Sequence, residues 1–464
     1  MNTKRFFTSL SLLLTLFLMV SPLAARSART QTAPKIYYVS TSGNDANDGR
    51  SWATAFRTLQ KPLTLGEINF QIWVARGVYY PDEGPNQTNN DPEATFRLLR
   101  QVAIYGGFGG TETSLAQRSV LGNPTVLSGD IDQNDMTDWR GVVTDTARIA
   151  GRNAYHVVTG GRPGYTLDSS AVLDGFFITA GQADGGDPNQ LGGGLYNVRG
   201  SPTLRNLVFS ANLAQFGGGM YNEGLSSAEI ARPSLFEVYF YNNLAGGAAD
   251  ASGGGMYNYN YAQPSLERVT FEGNRAAYGG GVDTEYQSHV EMKNVTFARN
   301  QASQQGGAIY GWQSNVTLTN ATFAENTAPS DNGKDIFQES GTLTLRNTIL
   351  GSGCDQGEDA IVSASYSLFQ DSSNACGIGD GINGNRVGVD PGLDVFGYHG
   401  GFTPLFTLQK DSVAIDSGSN SGCPPSDQRG FKRPVQGKAG GSLTCDIGAL
   451  EFYPYAVFLP LILR

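Results

Sequence analysis

Two carboxylic acids two residues apart, Asp283 and Glu285, are the first candidates for catalysis in this sequence. Residues i and i+2 of a β-strand share one face of the sheet, so their carboxyl groups would lie roughly 7 Å apart. That separation suits inverting glycoside hydrolysis. Glu223 would lie two strands away, on the order of 10 Å. Catalysis by Asp283, Glu285 and Glu223 competes with a chance grouping on an acidic chain, and the sequence leaves both open.

Aromatic residues occur at the same repeating positions as these acids. We expect the side chains at these positions to point outward, because they lie one or three residues after the apolar residue that follows each Gly-rich run, and that residue points inward. Aromatic rings and carboxylates on a rigid face suit sugar rings and their hydroxyls. Simple stacking that shields the strands is the alternative. The candidate ligand-binding residues are Tyr196, Tyr221, Tyr257, Tyr259, Tyr310 and Trp312.

One acidic segment begins like a calcium-binding loop. Its candidate ligands are Asp130, Asp132, Asn134 and Asp138. The segment departs from that pattern at Asp135, where glycine is expected. Hydrogen-bonded turns capped by the Asp and Asn side chains are the alternative. No motif requires a cofactor, and calcium is the one cation that the sequence brings into question.

The elements that must position these residues follow from two alternating motifs. Alternating apolar residues before each Phe indicate short strands. A unit of about 26 residues cannot bury its own face, so it must stack on copies of itself. The motifs are Phe-x-x-Asn (Phe209/Asn212, Phe240/Asn243, Phe271/Asn274, Phe297/Asn300, Phe323/Asn326) and Gly-rich runs at 192–194, 217–219, 253–255, 279–281 and 306–307.

The predicted fold is therefore all-β, a right-handed parallel β-helix with an N-terminal cap and a C-terminal capping region. The Phe residues would form an interior stack. The Asn residues would occupy a corner that tolerates left-handed geometry, with side-chain amides bonding from turn to turn. The glycines would allow positive φ or close backbone approach at another corner.

The four cysteines, Cys354, Cys376, Cys423 and Cys445, predict disulfides in an exported chain. Both consecutive pairs are 22 residues apart, which favours Cys354–Cys376 and Cys423–Cys445. A zinc site is the alternative, but there is no Cys-x-x-Cys motif and the chain has only 3 His residues.

The start of the chain has the order of a secretory signal peptide. Lys4 and Arg5 precede an apolar run at 6–20, and cleavage is expected after Ala25. Removing residues 1–25 changes the net charge from −10 to −12. An exported acidic chain without a basic run is a poor nucleic-acid binder. We expect a secreted monomer, extracellular or on the outer cell surface, with no membrane span after cleavage.

The alternation of the Phe-x-x-Asn and Gly-rich motifs over roughly 170–350 resembles the repeats of polymorphic outer-membrane proteins and related bacterial right-handed β-helix proteins. Asp390-Pro391, Asp427-Gln428-Arg429-Gly430 and the segment 446–451 resemble the choice-of-anchor Q domain that follows such β-helices. The resemblance implies a bacterial surface or extracellular protein. The apolar tail would be either a last strand or a sorting tag.

The sequence thus predicts six segments and leaves three functions open. The segments are a signal peptide (1–25), a linker (26–35), a cap with the first turns (36–165), the repeats (166–390), a choice-of-anchor Q-like region (391–451) and the apolar tail (452–464). The first hypothesis is a non-catalytic, adhesin-like binder of polysaccharide, cell-surface glycan or protein. The alternative is a polysaccharide lyase or glycoside hydrolase, and the third is a structural spacer. A pocket-lining carboxyl group with a shifted pKa would favour the enzyme, whereas a long flat strip would favour binding.

Overall fold

The computed structural model describes residues 34–162, 164–329 and 332–454. The predicted signal peptide, most of the linker and residues 455–464 of the apolar tail lie outside the described residues. Within the described ranges, no helix combines the length and the apolar character needed to cross a membrane.

The described residues form short strands with few helical turns. The strands before the repeats are β1 (Lys35–Val39), β2 (Phe70–Ala75), β3 (Gly77–Tyr79), β4 (Phe96–Arg97), β5 (Val102–Phe108), β6 (Thr125–Ser128), β7 (Val158–Thr159), β8 (Val172–Asp174) and β9 (Phe177–Thr179). The helical segments are α1 (Gln60–Leu63) and the 3₁₀ turns Trp52–Thr54, Leu115–Gln117, Thr146–Arg148 and Ile382–Gly384.

The repeats continue with strands of similar length. They are β10 (Gln182–Ala183), β11 (Leu195–Val198), β12 (Thr203–Ser210), β13 (Leu213–Ala214), β14 (Met220–Glu223), β15 (Ser234–Tyr241), β16 (Leu244–Ala245), β17 (Met256–Tyr259), β18 (Ser265–Glu272), β19 (Arg275–Tyr278), β20 (Val282–Glu285), β21 (His289–Ala298), β22 (Gln301–Gln305), β23 (Ile309–Trp312), β24 (Ser314–Ala324), β25 (Ile336–Arg346) and β26 (Ile349–Leu350). The last strands are β27 (Cys354–Ser365), β28 (Leu368–Phe369), β29 (Arg386–Val387), β30 (Leu393–Gly397) and β31 (Leu405–Leu408).

The strands stack in parallel on three faces of a β-helix, as predicted. Face 1 contains β4, β7, β11, β14, β17, β20, β23 and the start of β25. Face 2 runs from β1 through β2, β5, β8, β12, β15, β18 and β21 to β24. Face 3 contains β10, β13, β16, β19 and β22. Each circuit therefore places a strand on the equivalent strand of the previous circuit.

The predicted phenylalanine stack fills the interior. Rings of successive Phe residues lie 4.6–4.9 Å apart and within 6° of parallel. These rings belong to one hydrophobic cluster that extends from Tyr37 to Cys376. Because every circuit contributes the same side chain at the same place, apolar burial is continuous along the axis.

The predicted asparagine ladder is also present. Each Asn side chain from Asn212 to Asn300 donates its Nδ2 hydrogen to Oδ1 of the next, at 2.9–3.0 Å. The left-handed conformation, however, lies one residue earlier than expected. It occurs at the residues that precede the ladder, for example Asn242 (φ 52°) and Arg299 (φ 58°). The ladder Asn itself points inward, and the preceding residue makes the bend.

The Gly-rich turns serve the two purposes that the sequence indicates. Gly217 has φ +68°, a conformation that costs a residue with a Cβ atom more than it costs glycine. At Gly218, a Cβ atom would lie 2.4 Å from the carbonyl oxygen of Leu244 in the next circuit. Face 1 can therefore approach face 3 closely only because these positions lack side chains.

The cysteines pair as predicted. Cys354 is bonded to Cys376 and Cys423 to Cys445, with Cα–Cα distances of 5.1 and 6.4 Å. The described residues include no free cysteine. The zinc alternative is therefore not realised at these four positions.

The C-terminal region lies along the outer side of face 2. Gln428 donates to the Thr270 hydroxyl and accepts from the Thr296 hydroxyl, both at 2.7 Å. Asn320 donates to the Asp446 carbonyl oxygen at 3.0 Å. These hydrogen bonds reach three successive strands, β18, β21 and β24. In the next circuit, Ile349 of β26 belongs to the hydrophobic core of the C-terminal region. Face 2 is thereby covered from β18 to β24, and face 1 is left open for a site.

Candidate functional site

Parallel pairing on face 1 places Tyr196, Tyr221, Tyr257, Asp283 and Tyr310 directly above one another. These residues face away from the phenylalanine interior, but they do not form an open strip. None of them is more than 8% exposed. One reason is that neighbouring rings cover each other, with centroids 5.7–5.8 Å apart at Tyr196–Tyr221 and Tyr221–Tyr257. The expected exposed strip is instead the floor of a cleft.

The cleft has a volume of about 1600 Å³. Its sides include Asp187, Asn189, Asp250 and Ser252, which belong to the loops that lead into the Gly-rich turns. All six candidate ligand-binding residues line it. The aromatic lining consists of Tyr196, Phe216, Tyr221, Tyr257, Tyr259, Tyr278, Tyr286, Tyr310 and Trp312, and the carboxyl groups are those of Glu93, Asp187, Glu223, Asp250, Glu285 and Glu339.

Asp283 replaces a tyrosine in the column and lies beneath the cleft surface, with no solvent exposure. Neither carboxylate oxygen accepts a hydrogen bond of ordinary geometry. Burial, and then the charge of Glu285, raise the pKa of Asp283 well above its usual range. The Ser252 side chain and the Thr284 backbone amide oppose this only in part. An acid in this environment favours its protonated form.

Glu285 lies in the same strand as Asp283 and reaches the cleft. Burial raises the pKa of Glu285 to about 7, and the negative charge of Asp250 adds to the increase. The Tyr257 hydroxyl donates to Glu285 Oε2 at 2.9 Å and opposes it. A carboxyl group with a pKa near neutrality can give up a proton during catalysis near neutral pH.

Glu223 lines the cleft two strands before Glu285. The Tyr221 hydroxyl donates to its Oε2 at 3.2 Å. Burial raises the pKa of Glu223, and the acid whose charge acts on it is Asp187. The structure therefore groups Glu285 with Asp283 and Asp250, and groups Glu223 with Asp187. The acids proposed from sequence share one cleft but belong to two local groups.

Tyr259, Trp312 and Tyr286 form the opposite edge of the cleft. Tyr286 does not lie at one of the repeating positions identified from sequence. Tyr286 packs edge-on against Tyr259 at 5.0 Å and against Trp312 at 4.6 Å. Tyr286 has a positive φ of 48°, because it lies at the bend that follows β20. These three half-buried rings provide an aromatic edge beside Glu285.

Several other cleft residues were not found by sequence reasoning. Asp250 and Tyr278 come from loops or strands that approach face 1 from face 3, and Arg97 precedes the repeats. The repeating positions that follow the Gly-rich runs include only residues that share a strand position. A loop residue, or a residue of a circuit before the repeats, therefore cannot be placed in the same cleft from the repeat pattern.

The candidate calcium ligands use their carboxylates to cap the backbone. Asp130 accepts from the backbone amides of Asn134 and Asp135, and Asp138 accepts from those of Arg140 and Val142. Over the described ranges, no group of three or more His, Cys, Asp or Glu side chains is arranged to hold a metal ion. These contacts match the turn alternative, and calcium binding at this loop stays a prediction.

The sequence matches the profile of the family described as "Right handed beta helix region" over residues 191–350. No curated protein matches the chain. Among solved structures, pectate lyase Pel9A is similar at 14% identity and a TM-score of 0.40, over 90% of this chain and 96% of that chain. The GH136 lacto-N-biosidase from Eubacterium ramulus is similar at 11% identity and a TM-score of 0.35, over 71% of this chain and 64% of that chain.

A rhamnogalacturonan lyase is similar at 10% identity and a TM-score of 0.30, over 72% of this chain and 87% of that chain. These structural neighbours are carbohydrate-active proteins, but such low identities and TM-scores assign no activity to this chain. The family match covers the same segment in which the motifs alternate and the strands stack. The chain folds as a right-handed parallel β-helix.

Proposed function

We propose that this protein is a carbohydrate-active enzyme that hydrolyses a glycosidic bond in the cleft on face 1. The observation that carries the proposal is the position of Glu285. It is a protonatable carboxyl group within a cleft of aromatic rings, beside a second, buried acid. Shifted carboxyl groups in an aromatic, concave site are a typical arrangement for acid–base catalysis.

The cleft is suited to a chain of sugars. From β4 to β23 it extends over six strand spacings, about 29 Å. Its aromatic floor and edge offer ring faces for stacking, and its carboxylates can accept hydrogen bonds from hydroxyl groups. Several sugar rings can therefore occupy it at once, with Glu285 near one of the bonds between them.

Two side chains take different roles in the reaction, one as general acid and the other as general base. Glu285 donates its proton to the oxygen of the leaving sugar as the bond from that oxygen to the anomeric carbon breaks. Asp250 accepts a proton from the water molecule whose oxygen bonds to that carbon. The proton taken up by Asp250 later returns to solvent, and Glu285 is reprotonated from solvent. Asp283 is buried beneath the cleft surface and does not touch the sugar.

Hydrolysis is supported better than elimination. A polysaccharide lyase would need a Lys or Arg side chain as a base beside its acids. Within the described residues, the cleft lining includes Arg97 and Arg162 but no lysine. Arg97 lies five strand spacings from Glu285, about 24 Å. Among the described residues that line the cleft, no guanidinium or ammonium group is thus placed to act with Glu285.

Non-catalytic binding, the first hypothesis from sequence, requires only the aromatic lining. The feature that distinguishes the two hypotheses is a pocket-lining carboxyl group with a shifted pKa, and Glu285 has this property. The proposal therefore favours the enzyme, and binding without cleavage is one outcome of its test.

The test incubates the protein with a panel of neutral and acidic polysaccharides and measures both retention and product release. We expect new reducing ends from at least one polysaccharide, and a rate lower by a factor of about 10²–10⁴ for Glu285→Gln. Asp250→Asn should also be slow. Glu358→Gln, at an exposed position outside the cleft, is the matched control and should have the wild-type rate.

The other outcomes separate the alternatives. Retention without release on every polysaccharide would replace the hydrolase with a binding protein. Unsaturated products would indicate a lyase. Full activity in Glu285→Gln would contradict the assignment of Glu285 as the acid. The absence of both retention and release on every polysaccharide would overturn the carbohydrate proposal itself.

We infer an extracellular or cell-surface location for this activity. The two disulfides and the leader-like start of the sequence support it. Fractionation of the native host, with gel mobility compared with and without reductant, tests it. An oxidised form outside the cytoplasm is expected, and a reduced cytoplasmic form would contradict the inference.

A further inference from the structure

The two ends of the cleft differ in charge. Arg97 and Arg162 line the end nearest the N-terminus. Arg97 belongs to the tyrosine column, because it pairs with Thr159, which in turn pairs with Tyr196. Arg162 follows Thr159 by three residues, and both arginines are exposed. One cation therefore begins the column that continues into the ring stack, and a second lines the same end of the cleft.

Within the described ranges, neither arginine has an acidic partner within 4.0 Å. Glu93 lines the same end of the cleft but forms no ion pair with Arg97 or Arg162. Some arginines of this acidic chain are paired, for example Arg100 with Asp168 and Arg199 with Glu229. At this end of the cleft, in contrast, two guanidinium groups are free to bind an anion, in a protein of net charge −10.

The two arginines also repel each other. Partial burial, and then the positive charge of Arg162, lower the pKa of Arg97. An anion between two guanidinium groups would remove this repulsion and would accept their hydrogen bonds in a forked geometry. Water alone offers no such charge, so the arrangement is complementary to a carboxylate or sulfate.

The remainder of the cleft selects against a polyanion. Glu223, Asp250, Glu285 and Glu339 line its middle and far parts. A polymer with an acidic group on every sugar would meet these carboxylates and be repelled. A ligand that satisfies both ends is neutral along most of its length and carries a negative charge at one place.

We propose that the substrate is a largely neutral glycan with one anionic substituent, a carboxylate or a sulfate, which Arg97 and Arg162 bind. This inference rests on the proposed glycan-binding function of the cleft. Five strand spacings, about 24 Å, separate Arg97 from the circuit of Glu285. The anionic group therefore lies several sugars from the bond that is cleaved, and it sets the direction in which the glycan lies.

The test uses oligosaccharides in matched pairs, with the same neutral core alone, with one glucuronate, or with one sulfate. Affinities are measured at low salt in the Glu285→Gln background, which slows cleavage. We expect an anionic member to bind roughly tenfold more tightly than its neutral core. The preference should disappear in Arg97→Gln/Arg162→Gln, whereas the affinity for the neutral core stays the same. Arg386→Gln, an exposed arginine outside the cleft, is the control.

Comparison of the glucuronate and sulfate arms identifies which anion the site accepts. Equal affinity for neutral and anionic members would overturn the inference, as would a preference that survives in the double variant. Both results leave the proposed hydrolase intact, because the neutral core still binds.

A second measurement does not depend on glycan cleavage or on any polysaccharide. The ¹⁵N signals of the arginine Nε groups are followed during titration with D-glucuronate, sodium sulfate or D-glucose. Changes at Arg97 and Arg162 with either anion, but not with D-glucose, support the anion site even if every oligosaccharide fails to bind. Unchanged signals with both anions overturn it, whatever the polysaccharide panel shows.

Discussion

Two columns of buried polar side chains run along this β-helix, and they differ in how completely their polar atoms are satisfied. In the ladder from Asn212 to Asn326, each amide bonds to its neighbour and to a backbone carbonyl. In the face 1 column, the carboxylate oxygens of Asp283 have no such partner. The first column stabilises the fold, whereas the second retains an unfavourable group at the cleft. Polar groups left unsatisfied in this way are expected at functional sites.

The difference arises at a single strand. A second ladder, Asn197–Asn222–Asn258, lies under face 1 and ends on the Thr284 hydroxyl. Thr284 is in β20, the strand in which Asp283 replaces tyrosine. β20 therefore interrupts the tyrosine column and ends the amide ladder. A change in one circuit is enough to create a site, because the circuits on both sides maintain the scaffold.

The largest expected effect comes from breaking the satisfied ladder. Asn274→Ala removes the acceptor of the Asn243 amides and the donor to the Phe240 carbonyl, and it leaves Asn300 Oδ1 with fewer partners. Because all of these groups are buried, we expect a loss of about 3–5 kcal/mol in the free energy of unfolding. Chemical denaturation followed by circular dichroism measures it.

Asn315→Ala is the control for this loss, since Asn315 is exposed. It should change the free energy of unfolding by less than about 0.5 kcal/mol. A loss of similar size in both variants would show that the ladder contributes no special stability, and the contrast between the two columns would fail.

A smaller effect of opposite sign is expected in the unsatisfied column. Asp283→Asn removes a buried acid whose pKa is raised in the folded protein. Such an acid is most favourable below its unfolded pKa of about 3.9, and its contribution to stability falls as pH rises. The free energy of unfolding of the variant should therefore rise relative to that of the wild type as pH increases above about 4.

Denaturation at pH 4, 6 and 8 measures this gain, with exposed Asp394→Asn as the control. We expect equal stability of Asp283→Asn and wild type at pH 4 and a growing difference above it. A difference that is independent of pH would show that the carboxyl group at 283 is not held in its protonated form by the fold.

The smallest effect concerns the one hydroxyl that opposes protonation of Glu285. The Tyr257 hydroxyl donates to Glu285 at 2.9 Å, and this hydrogen bond lowers the pKa of Glu285. Tyr257→Phe removes the hydrogen bond and should therefore raise that pKa. The alkaline limb of the rate profile, expected near pH 7 in the wild type, should move upward by up to about one pH unit. The pH dependence of kcat/KM on a cleaved polysaccharide measures it.

Tyr310→Phe is the matched control for this shift. Tyr310 belongs to the same column, and its hydroxyl has no hydrogen bond to Glu285. Its alkaline limb should remain where it is in the wild type. A downward shift in Tyr257→Phe, or equal shifts in both variants, would contradict the role of the Tyr257 hydroxyl.

The repetitive part of the fold was predictable because repetition is itself a sequence signal. The Phe stack, the Asn ladder, the Gly turns and the pairing of Cys354 with Cys376 all follow from residues that recur or are evenly spaced. The position of the left-handed residue was misplaced by one. The motif identifies which residue is constant, but not which of two neighbours makes the bend, and variable residues such as Asn242 and Arg299 make it.

The cleft was only half predictable. The rings and acids that share a strand position with the Gly motif were found, because they repeat with it. Asp250, the acid beside Glu285, was not found, because it comes from a loop. Arg97, at the end of the cleft nearest the N-terminus, was not found either, because it comes from an earlier circuit. The burial of the tyrosines was also missed. It depends on neighbouring rings and loop walls, which no single repeat contains.

The sequence by itself determined the architecture of this protein. Side chains that recur at a fixed period must lie above one another once the strands stack, so the interior, the ladders and the outward columns follow from spacing alone. The tertiary structure decided which outward column lines the cleft and is the candidate site. Exposure, the pKa of Glu285 and the separation of the cationic and acidic ends depend on loops of variable length and on circuits far apart in the chain. Burial and charge act through space, and distance in space is set only when the circuits close.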